Sequence, residues 1–272
     1  MKIKQIASAA ALCLGTALSF SASATTLTNV QSSFSPWGGF DWEQGGTAFT
    51  SNFTGVVGDS FTLTVFAVAG SLNKEPTGTF IGAALDSNAD GSPEAMYEYT
   101  LVATITEKIE SCESATKCTF SITSGAFDIY YDTAQNATSN ALSSLGTGYL
   151  DGIKIISGLF GAQAGGTFDS AGTGSNSTTV QGTVTTTNAS YINPELLTTT
   201  ATTTLQLGSA VTGWVNPGGF NGVGFGENDI VLQADANQNF TSRVPEPGTL
   251  SLIALALLGG GAAGSRRRKA QK

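Results

Sequence analysis

The sequence predicts an all-β fold: an antiparallel, β-sandwich-like ectodomain between an N-terminal signal peptide and a C-terminal transmembrane helix. Three observations carry that prediction. Apolar and polar residues alternate with period two wherever the central chain is apolar, no long stretch of it has a helical period, and Gly, Asn, Asp and Ser separate the alternating runs. Period-two alternation turns one face of an extended chain toward a core and the other toward water, and short runs joined by turn residues are the pattern of layered antiparallel sheets.

At the N-terminus, Lys2 and Lys4 precede an apolar run from Ile6 to Phe20, and Ala22-Ser23-Ala24 supplies small residues ahead of Thr25. A basic start, a hydrophobic run and a small-residue site make residues 1–24 a secretory signal peptide cut by signal peptidase after Ala24. Cys13 lies inside it behind the bulky Leu12, which argues against a lipoprotein cleavage box. Residues 25–243 then form one secreted β-rich domain.

Eight runs within that domain read as strands: Phe61–Val68, Tyr97–Thr106, Cys118–Thr123, Ala126–Tyr131, Ile153–Ser157, Val180–Val184, Thr202–Leu207 and Asp229–Gln233. The stretch from Ala164 to Ser177 is low in complexity, and twelve threonines fall between Thr178 and Thr204. The branched Thr side chain favours β structure while its hydroxyl faces water, so this region reads as a long edge hairpin, or as a site for O-linked sugars. Gly213 to Gly226 holds Trp214, Phe220 and Phe225 among six glycines and reads as a flexible aromatic loop.

Up to Val244 the exported part carries five basic residues against nineteen acidic ones, a balance of −14. So acidic a surface repels nucleic acid and anionic lipid and favours divalent cations or neutral partners, so nucleic acid is set aside as a partner. Cys112 and Cys118 are the cysteines left after signal removal. In an oxidising exported setting they read as one disulfide across a turn between strands; the spacing is wider than Cys-x-x-Cys, and no histidine exists to complete a zinc site.

The absence of histidine also removes the usual general base and the Ser-His-Asp arrangement, so the chain is expected not to be an enzyme. The carboxylates Asp128 and Asp132, four apart on a strand, are the pair a hydrolase would have to use. Asp86-Ser-Asn88-Ala-Asp90-Gly91 fits the opening of a calcium loop, in which Asp86, Asn88 and Asp90 converge their oxygens on one cation, but the twelfth position is Tyr97, with Glu98 one residue late. The other reading is an Asn/Asp turn that caps its own backbone. Phe34, Trp37, Phe40, Trp42, Phe49 and Phe53, with Asp41 and Glu43 between them, either build the core of a first sheet or stack on sugar rings as a carbohydrate-binding surface.

The C-terminal residues 244–272 stack three unlike signals in order. Val244, Pro245, Glu246 and Pro247 hold the chain extended, because proline neither continues a helix nor donates an amide hydrogen. An uncharged apolar stretch from Thr249 to Gly264 follows, a little short of an ordinary spanning helix, and Arg266, Arg267, Arg268 and Lys269 close it as a cytoplasmic stop. This tail resembles the PEP-CTERM sorting signal of Gram-negative bacteria. The resemblance implies processing by an exosortase after transient anchoring in the inner membrane, and a destination at the cell surface or in the extracellular polymer matrix. A second stretch, Phe127-Asp-Ile-Tyr-Tyr-Asp132 with Gly146 to Gly158, is similar to the body of flocculation-associated PEP-CTERM proteins. That similarity implies a structural or adhesive part in floc or biofilm formation, with exopolysaccharide or another matrix component as partner.

Overall fold

The computed structural model of the chain describes residues 24–80, 85, 97–114, 117–137, 145–169, 176–208 and 214–241. The expected signal peptide up to residue 23, the sorting tail with Val244, Pro245, Glu246, Pro247, Arg266, Arg267 and Arg268, and the expected calcium residues Asp86, Asn88 and Asp90 lie outside the described residues.

Among the described residues the backbone forms fourteen strands and no helix. In chain order they are β1 (Thr26–Thr28), β2 (Ser33–Phe34), β3 (Trp37–Ser51), β4 (Ser60–Lys74), β5 (Glu98–Cys112), β6 (Lys117–Asp132), β7 (Ile153–Phe160), β8 (Gln163–Asp169), β9 (Asn176–Thr187), β10 (Ile192–Asn193), β11 (Thr200–Leu207), β12 (Gly219–Phe220), β13 (Val223–Gly224) and β14 (Ile230–Thr241). The main sheet runs β5-β4-β3-β14-β11-β9-β7-β6, and β6 pairs again with β5. Every neighbour is antiparallel. Eight strands therefore close a barrel, whereas the sequence predicted two sheets packed face to face. Alternation reports that one face is buried, which holds equally for a sandwich and a barrel; closure depends on β6 returning to β5, and no local pattern encodes that pairing.

Long strands with irregular register make the ring. β6 merges two of the predicted runs, Cys118–Thr123 and Ala126–Tyr131, through Gly125, where a Cβ would press on the Thr104 carbonyl. Its later half, Gly125 to Tyr131, pairs with β7, and its earlier half, Lys117 to Ile122, pairs with β8. β3 escaped the strand reading because its Gly-rich sequence is broken by register shifts around Gly39, Trp42 and Thr47, which interrupt strict alternation. The Thr-rich segment is not an edge hairpin either: β9 and β11 are each paired on both sides within the barrel.

Inward residues of all eight strands share one core. Val65, Ala67, Leu101, Ala103, Ile129, Val180, Val184, Ala201 and Ala236 fill its middle. Phe127 and Phe160 cross the barrel where Gly158 and Gly182 leave room, and a Cβ on Gly158 would collide with the Phe127 ring. One end is closed by aromatic side chains, with Phe40 4.9 Å from Trp42, 5.1 Å from Trp37 and 5.2 Å from Tyr99 between ring centroids. The small sheet β10-β1-β2 adds Leu27, Phe34 and Ile192 to that core, and Asn29 Nδ2 donates to the Tyr99 hydroxyl at 3.1 Å. A second apolar cluster lies on the outer face of β4, where Phe66 and Val68 are covered by Tyr149 and Phe220. The described part of the aromatic glycine-rich stretch, Trp214 to Gly226, thus supplies a packed hairpin, β12–β13, with Phe220 and Phe225 both against Phe49.

Cys112 and Cys118 are opposite one another at the end of the β5–β6 hairpin, with Cα atoms 4.0 Å apart, and are joined as a disulfide. The bond closes a short loop, so its chain-entropy contribution is about 2 kcal/mol. Replacing both cysteines with serine should lower the unfolding free energy by about that amount and leave the barrel intact, since the strand ladder below holds the hairpin without it. Equal denaturation midpoints for the two forms would show that the bond contributes nothing.

Candidate functional site

An extended polar face is built by alternate residues of β14, β3, β4, β11 and β9 that face away from the core. The register lines up Thr179, Thr204, Asn237, Asp41 and Ser71 in one row across five strands, and Gln181, Thr202, Asn239, Gly39 and Asn73 in the next. Side chains on the β14–β3–β4 part are tied together. Asn237 Nδ2 donates to Asp41 Oδ1 at 3.1 Å and Ser71 Oγ donates to Asp41 Oδ2 at 3.3 Å. Asn73 Nδ2 reaches Asn237 and Asn239 at 3.2 and 3.0 Å, across the position where Gly39 has no side chain. Asp235 joins this face; burial and the nearby Asp41 charge hold its carboxyl above the ordinary range. The outer threonines Thr202, Thr204, Thr179 and Thr183 continue the surface with hydroxyls. Within these two rows Asp41 is the only ionisable group, with Asp235 beside them, and the other side chains are amides and hydroxyls. The alternating Asp-Ala-Asn-Gln-Asn of β14 signals such a face in sequence, whereas its partners on β3 and β4 come only from the pairing.

The aromatic residues have a different place. Trp37, Phe40 and Trp42 are almost fully buried in the barrel end, so the core reading of this cluster holds and stacking of Trp37 or Trp42 on a sugar is excluded in this fold. Asp128 sits on β6 beside β7, accepting from Ser157 Oγ at 2.6 Å and from Lys154 Nζ at 2.8 Å, while the Lys154 ammonium lies 5.5 Å from the Tyr130 ring centroid. The hydrogen bond to Asp128 is the largest cause of a raised Lys154 pKa. Asp132 instead accepts from the Ala134 amide at 2.9 Å and shapes the following turn. The two carboxylates thus have separate structural partners.

A buried carboxyl anchors the segment that follows β6. Glu98 is nearly inaccessible at the start of β5; one of its oxygens accepts the amides of Asn136 and Ala137 at 3.2 and 3.1 Å. Burial is the largest cause pushing its pKa up to about 8, against the two amides, and the Asp132 and Asp151 charges add to the rise. Thr100 Oγ1 donates to the Tyr149 carbonyl at 2.9 Å and Asn136 Nδ2 to Asp151 at 2.9 Å, which fasten the turn from Gly146 to Gly152 over the barrel wall. Gly148 has φ +84° and a Cβ there would run into Asn136. These residues therefore serve packing. Among the described residues no group of three or more His, Cys, Asp or Glu is arranged to hold a metal ion.

The molecule is thus an all-β barrel domain followed by a tail of a distinct kind. Residues 243–269 match the family model of the PEP-CTERM protein-sorting motif, so the chain carries a PEP-CTERM sorting domain. The matched span contains the Val244 to Pro247 segment and the cluster Arg266, Arg267 and Arg268. The motif supports export, a membrane-anchoring C-terminal signal and processing by an exosortase. Comparison with curated proteins and with solved structures found no match.

Proposed function

We propose that the chain is an exosortase-processed component of the cell surface or extracellular polymer matrix, with a structural or adhesive, non-enzymatic role in floc or biofilm formation. The sorting motif at residues 243–269 is the observation that carries this reading. Release from the membrane predicts a mature chain that begins at Thr25 and lacks Arg266 to Lys269. Mass spectrometry of matrix material tests this, and Lys272 recovered there in the intact chain overturns the cleavage. Replacing Pro245, Glu246 and Pro247 with alanine should leave the protein in the membrane fraction. Deleting the gene should reduce cell aggregation without changing polymer hydrolysis.

A carbohydrate-binding role is the second reading, favoured by the amide and hydroxyl rows outside β9, β11 and β14. Sugar hydroxyls both donate and accept, as these side chains do, and a face poor in charge suits a neutral polymer. Changing Thr202, Thr204 and Asn239 together to alanine should weaken co-sedimentation with isolated matrix polysaccharide about tenfold while leaving the unfolding midpoint nearly unchanged. Unaltered co-sedimentation removes this reading.

A further inference from the structure

One stretch of the barrel wall is closed by a side chain where the strand ladder stops. β7 and β8 follow one another along β6, the first against Gly125 to Tyr131 and the second against Lys117 to Ile122. On their other side β9 pairs with β7, and that ladder ends at Phe160 opposite Gly182. β8 is paired with β6 alone. Beyond the end of the ladder the Gln163 amide takes the place of a peptide group: its Nε2 donates to the Gln181 carbonyl at 2.7 Å and its Oε1 accepts from the Gln181 amide at 2.8 Å. A side-chain amide offers the donor and acceptor of a peptide, but on a chain of rotatable bonds.

Behind this seam lies a cavity of about 40 Å³, room for a few waters. Gly166 and Thr167 of β8 and Ser177 and Thr178 of β9 line it together with Glu107 of β5 and Thr50 of β3, so it connects the seam with the barrel interior. Glu107 is 7% exposed, and none of the described hydrogen bonds or ion pairs involves its carboxyl. The buried Thr50 hydroxyl also has no hydrogen-bond partner among the described residues. β4, β6, β11 and β14 turn only phenylalanine and leucine toward the cavity, so none of the described residues around it brings a cation or a second acid to Glu107. On its own strand Lys108 points to the opposite face and pairs with Glu110 at 3.4 Å.

We propose that the β8–β9 seam is a pH-operated opening in the barrel wall: with Glu107 protonated the two strands stay latched by Gln163, and with Glu107 ionised water enters the cavity, β8 parts from β9 and the interior becomes accessible between them. A charged carboxyl in such surroundings is costly without a partner, and hydration relieves the cost. The seam is the wall that yields. β5 is held to β4 and to β6, and β9 to β11, by continuous ladders, whereas parting β8 from β9 gives up the two bonds of one side chain. Burial pushes the Glu107 carboxyl from the ordinary 4.5 up to about 7 in the closed barrel. Below 4.5 it is protonated whether the seam is closed or open. Between 4.5 and about 7 opening releases a proton, so each rise in pH favours the open form, and above about 7 the full effect is reached.

Thiol labelling tests this in the full chain in nanodiscs, with Cys13→Ser and the Cys112–Cys118 disulfide kept. The reporter is Val180→Cys, which is buried at the cavity, with Thr178→Cys as a second reporter. Labelling by N-ethylmaleimide is compared with the same reporter in Glu107→Gln at the same pH, so that the reactivity of the thiol cancels. At about pH 8 the protein with Glu107 should be labelled at least about tenfold faster than Glu107→Gln, and at about pH 5 only a few-fold faster. Gln163→Ala, with Glu107 kept, should be labelled about tenfold faster than its parent at both pH values. Ala67→Cys, buried on β4 between two ladders, should be labelled at least about tenfold more slowly than Val180→Cys, because it reports opening of the whole barrel. Equal labelling with Glu107 and with Gln at about pH 8 overturns the switch, and an unchanged rate in Gln163→Ala overturns the latch. Labelling of Ala67→Cys as fast as Val180→Cys overturns the seam, since the barrel would then open only as a unit.

Discussion

The thermal midpoint of the barrel domain should be highest near about pH 5 and should fall as the pH is raised to about 8, the reverse of what acid-labile proteins do. Glu98 and Glu107 cause this. Burial raises both carboxyls from the ordinary 4.5, to about 8 and about 7 respectively. Below 4.5 each is protonated in the folded and the unfolded chain, and the full stability is present. Between 4.5 and the folded value the unfolded chain has released its proton while the folded one keeps it, so each unit of rising pH favours unfolding. The loss is complete for Glu107 above about pH 7 and for Glu98 above about pH 8. At about 1.4 kcal/mol per unit these two losses are on the order of 3 and 5 kcal/mol. Self-repulsion of the acidic exported chain acts in the same direction. Glu98→Gln keeps an oxygen for the Asn136 and Ala137 amides but cannot ionise, so its midpoint should fall much less over the same range. Calorimetric scans at several pH values decide; a wild-type midpoint that rises from pH 5 to pH 8 contradicts the assignment.

Trp42→Ala should destabilise the domain by about 3–5 kcal/mol, the usual cost of emptying a large aromatic site in a core. Trp42 is 1% exposed, stacks on Phe40 and lies at the closed end of the barrel. For a domain of this size the midpoint should drop by about 10 °C or more. Thr204→Ala on the outer face should change stability by no more than about 0.5 kcal/mol. The pair separates two meanings of aromatic residues in an exported protein. If Trp42→Ala kept the wild-type midpoint and lost glycan binding, the ring would be a contact surface rather than a core element.

Much of the barrel was legible from local pattern. The runs Phe61–Val68 and Tyr97–Thr106 were legible from their apolar, β-branched and aromatic residues, and both lie in strands, β4 and β5, that keep a continuous register with each other. β8 and much of β14 were missed for opposite reasons. β8, Gln163–Asp169, is short and Gly-rich, and takes its conformation from pairing with β6. In β14 the inward residues between Leu232 and Phe240 are Ala234, Ala236 and Gln238, too small or too polar to register as a hydrophobic stripe. The calcium motif illustrates a further limit, since a set of oxygens in sequence says which ligands are available and not whether they converge.

The candidate surfaces divide in the same way. Cys112 and Cys118 were readable as a pair because a short hairpin brings near neighbours together, and the sorting tail was readable because proline stiffness, an apolar run and an arginine cluster act on the membrane and the processing machinery without any fold. By itself the sequence determined that the body is all-β, that one disulfide closes a turn, and that the tail from Val244 onward carries a sorting signal. Tertiary structure alone decided that the sheet closes on itself, that Trp37 and Trp42 are core, that Asp41 and Asn73 meet Asn237, and that Glu98 and Glu107 are buried. The physical reason is range. Alternation, turns and charge order are set within about ten residues, whereas closure, burial and side-chain partnership join strands far apart in the chain, whose pairing is chosen by the free energy of the whole core.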